Sequence, residues 1–271
     1  MNLKNKIVVI TGGAGLLGFE FAKSISKFNG IPIILDIDQN KINLVEKFFN
    51  KKNARYLCLN TDLNDERDVL EKCKLILKKY KKIDCLVNSA SETKTSMESS
   101  TNNIFEKFEK YNLKLFQDSI QKNLSSIFIS TKIIGTQMKK FKKGSIVNIA
   151  SDVGVISPDH RIYEKDLSTN YKGVKFNTPL SYAMSKSAII IMTKYLATYW
   201  AKYNLRVNSI SPSGIFNNHD KKFAEVLSSR IPLNRMANKD EINGAVVFLC
   251  SDSSSYITGH NLMVDGGKTI W

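Results

Sequence analysis

The chain is poor in the residues that build metal centres and disulfide frameworks. It contains only three histidines and four cysteines among 271 residues. The four cysteines are widely separated, and no two of them show the C-x-x-C spacing of a zinc or redox site: Cys58, Cys73, Cys85 and Cys250. The histidines are equally dispersed: His160, His219 and His260. We therefore expect reduced, buried thiols and no metal site.

The sequence also lacks a long apolar run. Residues 1–6 lead into only five apolar or small residues, 7–11, before a glycine turn, which is too short for a secretory signal. The most apolar helical run, residues 188–192, is far shorter than a membrane span. Hydrophobic residues make up 42% of the chain and charged residues 24%, as in ordinary globular proteins. We expect a soluble, cytoplasmic protein without a membrane partner.

Acidic residues are outnumbered, and the formal net charge is +15 from 40 basic and 25 acidic side chains. Such an excess raises the hypothesis of a basic nucleic-acid binder. However, no basic motif with interleaved aromatic residues is present. The lysine pairs also fall where we predict helix C-termini, which attract cations: Lys51-Lys52, Lys78-Lys79, Lys81-Lys82, Lys139-Lys140 and Lys142-Lys143. We therefore predict no nucleic-acid partner.

Short β-branched runs alternate with longer amphipathic runs along the chain. The first kind predicts strands over residues 6–11, 31–36, 54–60, 83–88, 145–150, 206–210 and 261–264. The second kind predicts helices over residues 16–28, 41–50, 66–80, 113–140, 179–203 and 239–249. This alternation implies an α/β fold, with a doubly wound parallel sheet of about seven strands covered by helices on both faces. No linker or repeat divides the chain, so we predict one domain over residues 1–271.

A glycine-rich turn follows the first predicted strand. It reads Thr11-Gly12-Gly13-Ala14-Gly15-Leu16-Leu17-Gly18 and leads directly into a predicted helix. Glycines let the backbone approach a pyrophosphate, and a helix N-terminus offers N–H donors and positive potential. The alternative is a tight turn without a ligand.

Two acidic residues stand at the end of the second predicted strand. Asp36 lies 18 residues after Gly18, where an acidic side chain can bond the ribose hydroxyls of an adenosine. Its charge would repel a 2′-phosphate, no arginine follows, and Asp38 adds a second acid. These features favour NAD over NADP. The alternative is that one of the two acids caps the next helix.

Tyr182 and Lys186 stand four residues apart at the head of a long predicted helix, so they share one helix face. A neighbouring cation lowers the pKa of a phenol, which makes the tyrosine a candidate proton-transfer group. Ser151 follows the fifth predicted strand, where its hydroxyl can donate to a substrate carbonyl and stabilise negative charge. Asn123 lies inside the preceding predicted helix, where it is either structural or part of the site.

Together these motifs resemble the short-chain dehydrogenase/reductase family over essentially the whole chain. The resemblance implies a Rossmann-type fold and hydride transfer between nicotinamide C4 and an alcohol or ketone carbon. In it, Tyr182 moves the proton, Lys186 bonds the nicotinamide ribose, Ser151 positions the substrate oxygen and Asn123 holds a water. The matching cofactor-binding set is Thr11, Gly12, Gly15, Leu17, Gly18, Asp36, Asp62, Leu63, Asn88, Ala90, Tyr182, Lys186, Pro212, Gly214 and Ile215. Residues 206–214, 254–259 and 264–267 are similar to the later motifs of the family.

The sequence departs from the usual family pattern in three places. Leu16 stands where short members have a glycine, and the spacing of Gly12, Gly15 and Gly18 resembles longer, sugar-nucleotide-modifying members. The glycine of the family's N-A-G element is absent, because Ser91 follows Asn88-Ser89-Ala90. The gap between Ser151 and Tyr182 is 31 residues, which predicts an inserted loop near residues 157–178 beside the catalytic groups.

The inserted loop and a segment of the predicted helix 179–203 give indications of the substrate. Arg161 can bind a carboxylate or phosphate, or can be a solvated loop residue, and Tyr163 is a second candidate contact. Residues 159–165 and 193–200 resemble a bacterial subgroup associated with surface glycans, including flagellin modification. We therefore expect a small polar substrate and favour a sugar derivative over a steroid or acyl chain.

Two rival functions stay open. One is a sugar-nucleotide epimerase or dehydratase with tightly bound NAD, and the other is a non-catalytic dinucleotide-binding protein. The family resemblance also implies a homodimer or homotetramer formed through predicted helices 113–140 and 179–203. Three aromatic residues of the second helix serve either that contact or the core: Tyr195, Tyr199 and Trp200.

Overall fold

The computed structural model describes residues 1–91, 107–163, 170–171, 174–175, 177–219 and 221–271. Seven strands form one parallel sheet: β1 Ile7–Thr11, β2 Ile31–Asp36, β3 Leu57–Asn60, β4 Cys85–Asn88, β5 Gly144–Ile149, β8 Leu205–Pro212 and β9 Asn261–Val264. Two further strands form an antiparallel ribbon: β6 Asn170–Tyr171 and β7 Val174–Lys175.

The strand order of the large sheet is β3-β2-β1-β4-β5-β8-β9. The chain runs outward from β1 to β3 and then returns to β4, on the other side of β1. The direction of winding therefore reverses between β1 and β4. In open parallel sheets, ligands bind at this reversal, beyond the carboxyl ends of the strands.

Nine α-helices connect the strands in the described part of the chain: α1 Leu16–Lys27, α2 Gln39–Lys51, α3 Glu66–Tyr80, α4 Leu113–Ile120, α5 Ser126–Ser130, α6 Thr136–Lys140, α7 Leu180–Trp200, α8 Lys221–Ser228 and α9 Asn243–Cys250. Two π-helical turns join α4, α5 and α6 into one helical segment: Gln121–Ser125 and Thr131–Gly135. Short 3₁₀ turns complete the described elements: Phe108–Lys110, Asp152–Gly154, His160–Tyr163, Ala201–Tyr203, Asp252–Ser254 and Lys268–Ile270.

Apolar side chains cover both faces of the sheet. Every residue of β1, β2 and β4 is buried, because helices pack on each side of these central strands. On one face α1, α2 and α9 bury residues such as Phe21, Phe49 and Val246. On the other face α3, α6 and α7 do the same with Ile76, Met138 and others. The doubly wound parallel architecture predicted from the sequence is confirmed.

Each predicted strand and each predicted helix is present, with differences at their ends. The third strand begins at Leu57 rather than at residue 54. The last predicted helix begins at Asn243 rather than at residue 239, because Glu241 pairs with Arg235 and accepts from Asn238 N, which holds this segment as a turn. Helix α8 and the β6–β7 ribbon were not predicted.

The cysteines are free thiols; Cys73, Cys85 and Cys250 are buried and Cys58 is half-buried. Within the described ranges, no group of three or more metal-ligating side chains comes together. Among the same residues, no helix combines the length and the apolar character that a membrane crossing requires.

Candidate active site

The glycine turn is tied to the neighbouring strand β4. Thr11 Oγ1 accepts hydrogen bonds from Ser89 N at 3.1 Å and from Ala90 N at 3.3 Å. Gly12 has φ +61°, and a Cβ atom there would lie 2.7 Å from Ala90 Cα. A Cβ atom on Gly18 would overlap the carbonyl oxygen of Gly12. The turn therefore packs directly between the start of α1 and the end of β4.

The leucine that departs from the family's glycine pattern does not disturb this turn. Leu16 is the first residue of α1 and is 39% exposed, so its side chain points away from the tight contact. No side chain caps α1, whose N-cap residue is Gly15. The N-terminus of α1 thus presents N–H donors and positive potential at the strand reversal, as a pyrophosphate requires.

Asp36 is anchored at the carboxyl end of β2 and is 9% exposed. Its Oδ2 accepts from Ala14 N at 3.0 Å, and its Oδ1 accepts from Asp38 N at 3.1 Å. Each carboxylate oxygen can accept more than one hydrogen bond, so this anchoring leaves acceptor capacity for ribose hydroxyls. Asp38 instead caps α2, since it accepts from Lys41 N and forms an ion pair with Lys41 Nζ at 3.0 Å. That backbone hydrogen bond lowers the pKa of Asp38.

Three further cofactor candidates lie at the same edge of the sheet. Asp62 follows β3 and accepts from Asn64 N at 2.9 Å. Leu63 is buried against Val69, and Ala90 packs on the same small cluster. Leu63 and Ala90 thus belong to a small apolar cluster at this edge, and Asp62 closes the turn after β3.

The side chain of Asn88 is fully buried and hydrogen-bonds to other buried side chains. Its amide donates to Thr131 Oγ1 and to Asn148 Oδ1, both at 2.8 Å, and accepts from Ser130 Oγ at 2.8 Å. The side chain therefore ties β4 to β5 and to the helical segment behind them. A contact between Asn88 and a cofactor is left to its main chain.

The structure brings Ser151, Tyr182 and Lys186 together at the carboxyl end of β5. The Ser151 hydroxyl lies within reach of an interaction with the phenol of Tyr182. Lys186 is 2% exposed, donates to Ile149 O at 3.0 Å, and places Nζ 5.4 Å from the centre of the Tyr182 ring. The i, i+4 spacing on α7 thus sets both side chains against the end of the same strand.

Burial dominates the ionisation of this pair. It raises the pKa of Tyr182 to about 12; the charge of Asp152 acts in the same direction, and the interaction with Ser151 opposes both. Burial also lowers the pKa of Lys186 to about 8. In the protein alone the pKa of the phenol is therefore raised, because removal from water outweighs the interaction with Ser151, and the effect of Lys186 on this pKa stays a prediction.

Asn123 lies on the first π-helical turn, and its hydrogen bonds lead to α4 and to Ser91. Its Nδ2 donates to Ser119 O at 3.0 Å, and its Oδ1 accepts from Ser91 Oγ at 2.9 Å. Ser181 Oγ, on α7, donates to Ser119 Oγ at 2.9 Å and meets Tyr111 OH at 2.9 Å. Sequence reasoning missed this hydroxyl chain, which links α4 to the residue before Tyr182, because scattered serines carry no recognisable spacing.

The turn after β8 lies beside Ser151. Gly214 O accepts from Ala237 N at 3.0 Å, and Ile215 bridges Ala237. A Cβ atom on Gly214 would lie 2.7 Å from Leu227 of α8. Pro212 ends β8, and the next residue, Ser213, donates to Asp152 Oδ2 at 2.7 Å. This segment therefore flanks Ser151, the candidate catalytic serine, from the neighbouring strand.

The substrate candidates Arg161 and Tyr163 lie on a 3₁₀ turn and contact other protein groups. The exposed guanidinium of Arg161 pairs with Asp159, with Nε–Oδ1 at 2.8 Å and Nη2–Oδ2 at 3.0 Å. Tyr163 packs on Phe223 of α8 and is hydrogen-bonded to Thr178 Oγ1 at 2.8 Å. The turn is thus tied to α8, and contact of either residue with a substrate stays a prediction. Residues 164–169, 172–173 and 176 of the predicted insertion lie outside the described residues.

A groove of about 1100 Å³ lies at the start of α7. It runs between residues 107–111, residues 153–158 and the start of α7, and its wall includes Ala183, the neighbour of Tyr182.

Comparison with known proteins agrees with this geometry. A family model described as short chain dehydrogenase matches residues 6–163. A second model, described as Enoyl-(Acyl carrier protein) reductase, matches residues 167–269. The fold and site define a dinucleotide-binding α/β oxidoreductase class. The chain belongs to the short-chain dehydrogenase/reductase family.

Three relatives span nearly all of the chain. An NAD-dependent glycerol dehydrogenase of Listeria innocua is 31% identical over 99% of this chain and 96% of its own. The post-translational flagellin modification protein A of Campylobacter coli is 27% identical over 98% of both. A short chain dehydrogenase from Leptospira borgpetersenii, solved with bound NAD+, has a TM-score of 0.81 at 32% identity, covering 99% of this chain and 94% of that one.

Proposed function

We propose that the protein is an NAD(H)-dependent dehydrogenase that moves hydride between the cofactor and an alcohol or ketone carbon of a small polar substrate. The observation that carries the proposal is convergence: Ser151, Tyr182 and Lys186 meet at the sheet edge that also holds the glycine turn and Asp36. A bound nicotinamide supplies or accepts the hydride. The protein has to bind it, orient the substrate and move one proton.

The residues at the strand reversal fit NAD. The glycine turn and the N-terminus of α1 would hold the pyrophosphate, and Asp36 would accept from the adenosine ribose. The negative charge of Asp36 opposes a 2′-phosphate, which favours NAD over NADP. The glycerol dehydrogenase relative is NAD-dependent and the Leptospira structure carries NAD+, which supports this choice.

The catalytic roles follow from position and ionisation. Tyr182 carries the proton that passes to or from the substrate oxygen, since its phenol lies within reach of the serine at the strand end. Lys186 is held by Ile149 O, where its ammonium would reach the nicotinamide ribose. Asn123 stands behind both, and we assign it the ordering of water through the hydroxyls of α4 and α7.

We propose a polyol or sugar derivative as the substrate class. The glycerol dehydrogenase and flagellin modification relatives support polar, hydroxylated substrates. The inserted loop carries charged groups such as Arg161 and Asp159 beside the catalytic end of α7. The groove at the start of α7 also has apolar side chains, among them Val155, Ile156 and Leu180, so the preference over a steroid or acyl chain rests on these relatives and on the charged turn.

The test is a substrate screen with the purified protein. NAD+ and NADP+ are each offered with glycerol, xylitol and D-threitol, and NADH with 5-keto-D-gluconate, while nicotinamide absorbance is followed. We expect turnover with at least one of these substrates and a preference for NAD(H). Turnover confined to acyl thioesters, or a preference for NADP(H), would contradict the substrate or the cofactor assignment. Conversion of a sugar nucleotide without release of NADH would favour the epimerase alternative, and cofactor binding without turnover would favour a non-catalytic binder.

We also propose a homo-oligomer formed through α7. Large side chains at helical spacing on α7 are exposed, among them Ile191, Tyr195 and Tyr199, and the last two rings stack 6.0 Å apart. Trp200, by contrast, is 5% exposed and packs in the core. Trp200 therefore belongs to the core, whereas Tyr195 and Tyr199 are available for contact with a partner subunit.

A further inference from the structure

The residue after the catalytic serine is a buried acid with a complete set of partners. Asp152 is 4% exposed. Its Oδ1 accepts from Ser151 Oγ at 2.9 Å and from Val153 N at 2.8 Å. Its Oδ2 accepts from Ser213 Oγ and from Lys268 Nζ, both at 2.7 Å. One carboxylate thus joins the end of β5, the end of β8 and the segment after β9.

A tight turn positions Lys268 beside Asp152. Asp265 accepts from Gly267 N at 3.0 Å and from Thr269 N at 2.9 Å, which closes the backbone on both sides of Lys268. Gly266 and Gly267 have φ +64° and +89°, a region that side chains with a Cβ rarely adopt. The Lys268 side chain is 13% exposed and that of Asp152 is 6% exposed, so the two charges face each other largely out of water.

This arrangement fixes which way the serine proton points. A hydroxyl has one proton to donate, and a carboxylate can only accept. Because Ser151 donates this proton to Asp152, Asp152 fixes the direction of the Ser151 hydroxyl in the protein without ligands. The hydroxyl has to turn away from Asp152 before it can donate to the oxygen of Tyr182 or to a substrate carbonyl. Donation from Ser151 to a substrate carbonyl stays a prediction.

We propose that Asp152 is the positioning residue for Ser151, and that Lys268 is required because it neutralises a carboxylate that would otherwise lie unpaired beside Tyr182. The inference rests on the proposed function and adds two residues to the machinery of the reaction. Removing Lys268 leaves a buried charge without its partner, which is strongly unfavourable. Removing the charge of Asp152 frees the Ser151 proton and takes a negative charge away from the phenol.

We predict that the pKa of Tyr182 shifts in opposite directions when the charge of Asp152 or the charge of Lys268 is removed. In the described part of the chain, the charged groups that face Tyr182 are Lys186 on its own helix and Asp152 after β5, with Lys268 behind Asp152. Tyr163, on the 3₁₀ turn, lies in the field of the same carboxylate. Loss of the negative charge should ease ionisation of Tyr182, whereas loss of the positive charge should hinder it.

The experiment uses the protein without cofactor or substrate, labelled with ¹³Cζ-tyrosine and titrated by NMR. Loss of a signal in Tyr182→Phe assigns Tyr182. In Asp152→Asn we expect the phenolate signal about 1 pH unit or more below its position in the wild type. In Lys268→Met we expect no phenolate signal over the pH range in which the protein stays folded. Lys268→Arg, which keeps the charge, should follow the wild type.

A shift of both variants in the same direction, or an unchanged titration in Asp152→Asn, would overturn the proposal, because loss of packing alone cannot produce opposite signs. If Lys268→Met fails to fold, the double variant Asp152→Asn/Lys268→Met tests the same point. With both charges removed it should fold and return the Tyr182 titration toward that of the wild type, and a titration matching Asp152→Asn alone would count against a role for Lys268.

Activity provides the second readout. With NAD+ and the best alcohol of the screen, Asp152→Asn should move the rising limb of the kcat–pH profile down by about 1 pH unit, and Lys268→Met should move it up. The NMR result does not depend on turnover. If the expected NMR shifts are found in a protein that has no dehydrogenase activity, the proposed function is wrong, but the effect of Asp152 and Lys268 on Tyr182 stands.

Discussion

Tyr182 and Lys186 lie on one face of α7, and folding favours the neutral form of each. Burial raises the pKa of the phenol to about 12 and lowers the pKa of the amine to about 8. The same low-dielectric environment thus moves an acid and a base in opposite directions. In the protein alone, the proposed proton-transfer residue Tyr182 therefore keeps its proton at neutral pH.

We expect Tyr182→Phe to lower kcat about 10²- to 10⁴-fold, the usual contribution of a positioned proton-transfer group. Cofactor affinity should change little, because the aromatic ring is kept. Steady-state kinetics and NADH titration measure the two quantities. Tyr256→Phe is the matched control, since Tyr256 is fully exposed on the surface. Near-normal turnover in Tyr182→Phe would remove this tyrosine from the mechanism.

The lowered pKa of Lys186 predicts a pH dependence of stability. Between pH about 8 and 10.5 the unfolded chain binds a proton on this lysine that the folded protein does not bind. The stability contribution of the neutral amine is therefore present above 10.5 and is lost as pH falls through about 8. Lys186→Met should lack this slope, so that the wild type gains about 2 kcal/mol relative to the variant between pH 8 and 10. Denaturant unfolding at several pH values measures the difference, and parallel curves would contradict the assignment.

Local spacing was enough to predict the positions of Ser151, Tyr182 and Lys186, because each is set by one strand end or one helix face. The same reasoning did not find the contact between Asp152 and Lys268. These residues are 116 positions apart, and they meet only because β8 and β9 bring the last segment back to β5. The acid beside the predicted serine was a visible signal, but its partner was not.

At the scale of elements, the sequence pattern predicts every strand of the large sheet and the long helices, but it does not predict α8 or the β6–β7 ribbon. Helix α8 has only eight residues and buries two of them, Phe223 and Leu227, which gives too little periodicity to recognise. The predicted helix 113–140 contains two π-helical turns. A wider backbone turn changes hydrogen bonding but not the apolar character of the sequence, so residue patterns do not reveal it.

The contact between the glycine turn and α1 gives a prediction at this scale. We expect Gly18→Ala to weaken NAD+ binding at least tenfold and to lower the free energy of unfolding by about 1–3 kcal/mol, because the new methyl group overlaps the Gly12 carbonyl. Isothermal titration calorimetry and denaturant unfolding check both effects.

Gly244→Ala is the control for this substitution. Gly244 lies on α9, and a Cβ atom there meets nothing within 4 Å. Alanine is favoured over glycine in a helix by about 1 kcal/mol, so this variant should be as stable as the wild type or more so. Similar losses of stability in both variants would mean that the turn contact is not the cause.

At the scale of the whole molecule, several of the lysines that make the chain basic lie in the last turns of helices. Lysines occupy the last turns of α2, α3 and α6, where the helix dipole favours them: Lys51, Lys78, Lys79, Lys139 and Lys140. This placement agrees with the sequence interpretation of the lysine pairs as helix-end residues. It accounts for part of the +15 charge without an anionic partner.

The exposed face of α7 gives a prediction about assembly. Tyr199 is 58% exposed and stacks on Tyr195. We expect the wild type to have a solution mass that is a multiple of 30.6 kDa, and Tyr199→Asp to shift it toward the single-chain value, because a charge is costly in a desolvated interface. Light scattering after size exclusion measures the mass, with Tyr256→Asp as a surface control. A monomeric wild type would contradict the proposal.

The first π-helical turn, Gln121–Ser125, sets the rotation of α4 relative to the helical segment that follows it. Each residue of an α-helix rotates the chain by about 100°, so one additional residue in a wide turn rotates the residues before it relative to those after it. After the turn, Met138 of α6 packs against the sheet; within the turn, Asn123 accepts from Ser91 Oγ. Deleting a single residue from Gln121–Ser125 would remove this wide turn, leave the second one at Thr131–Gly135 in place, and rotate Asn123 away from Ser91. The length of the first turn therefore determines the direction of the Asn123 side chain separately from the core that supports it.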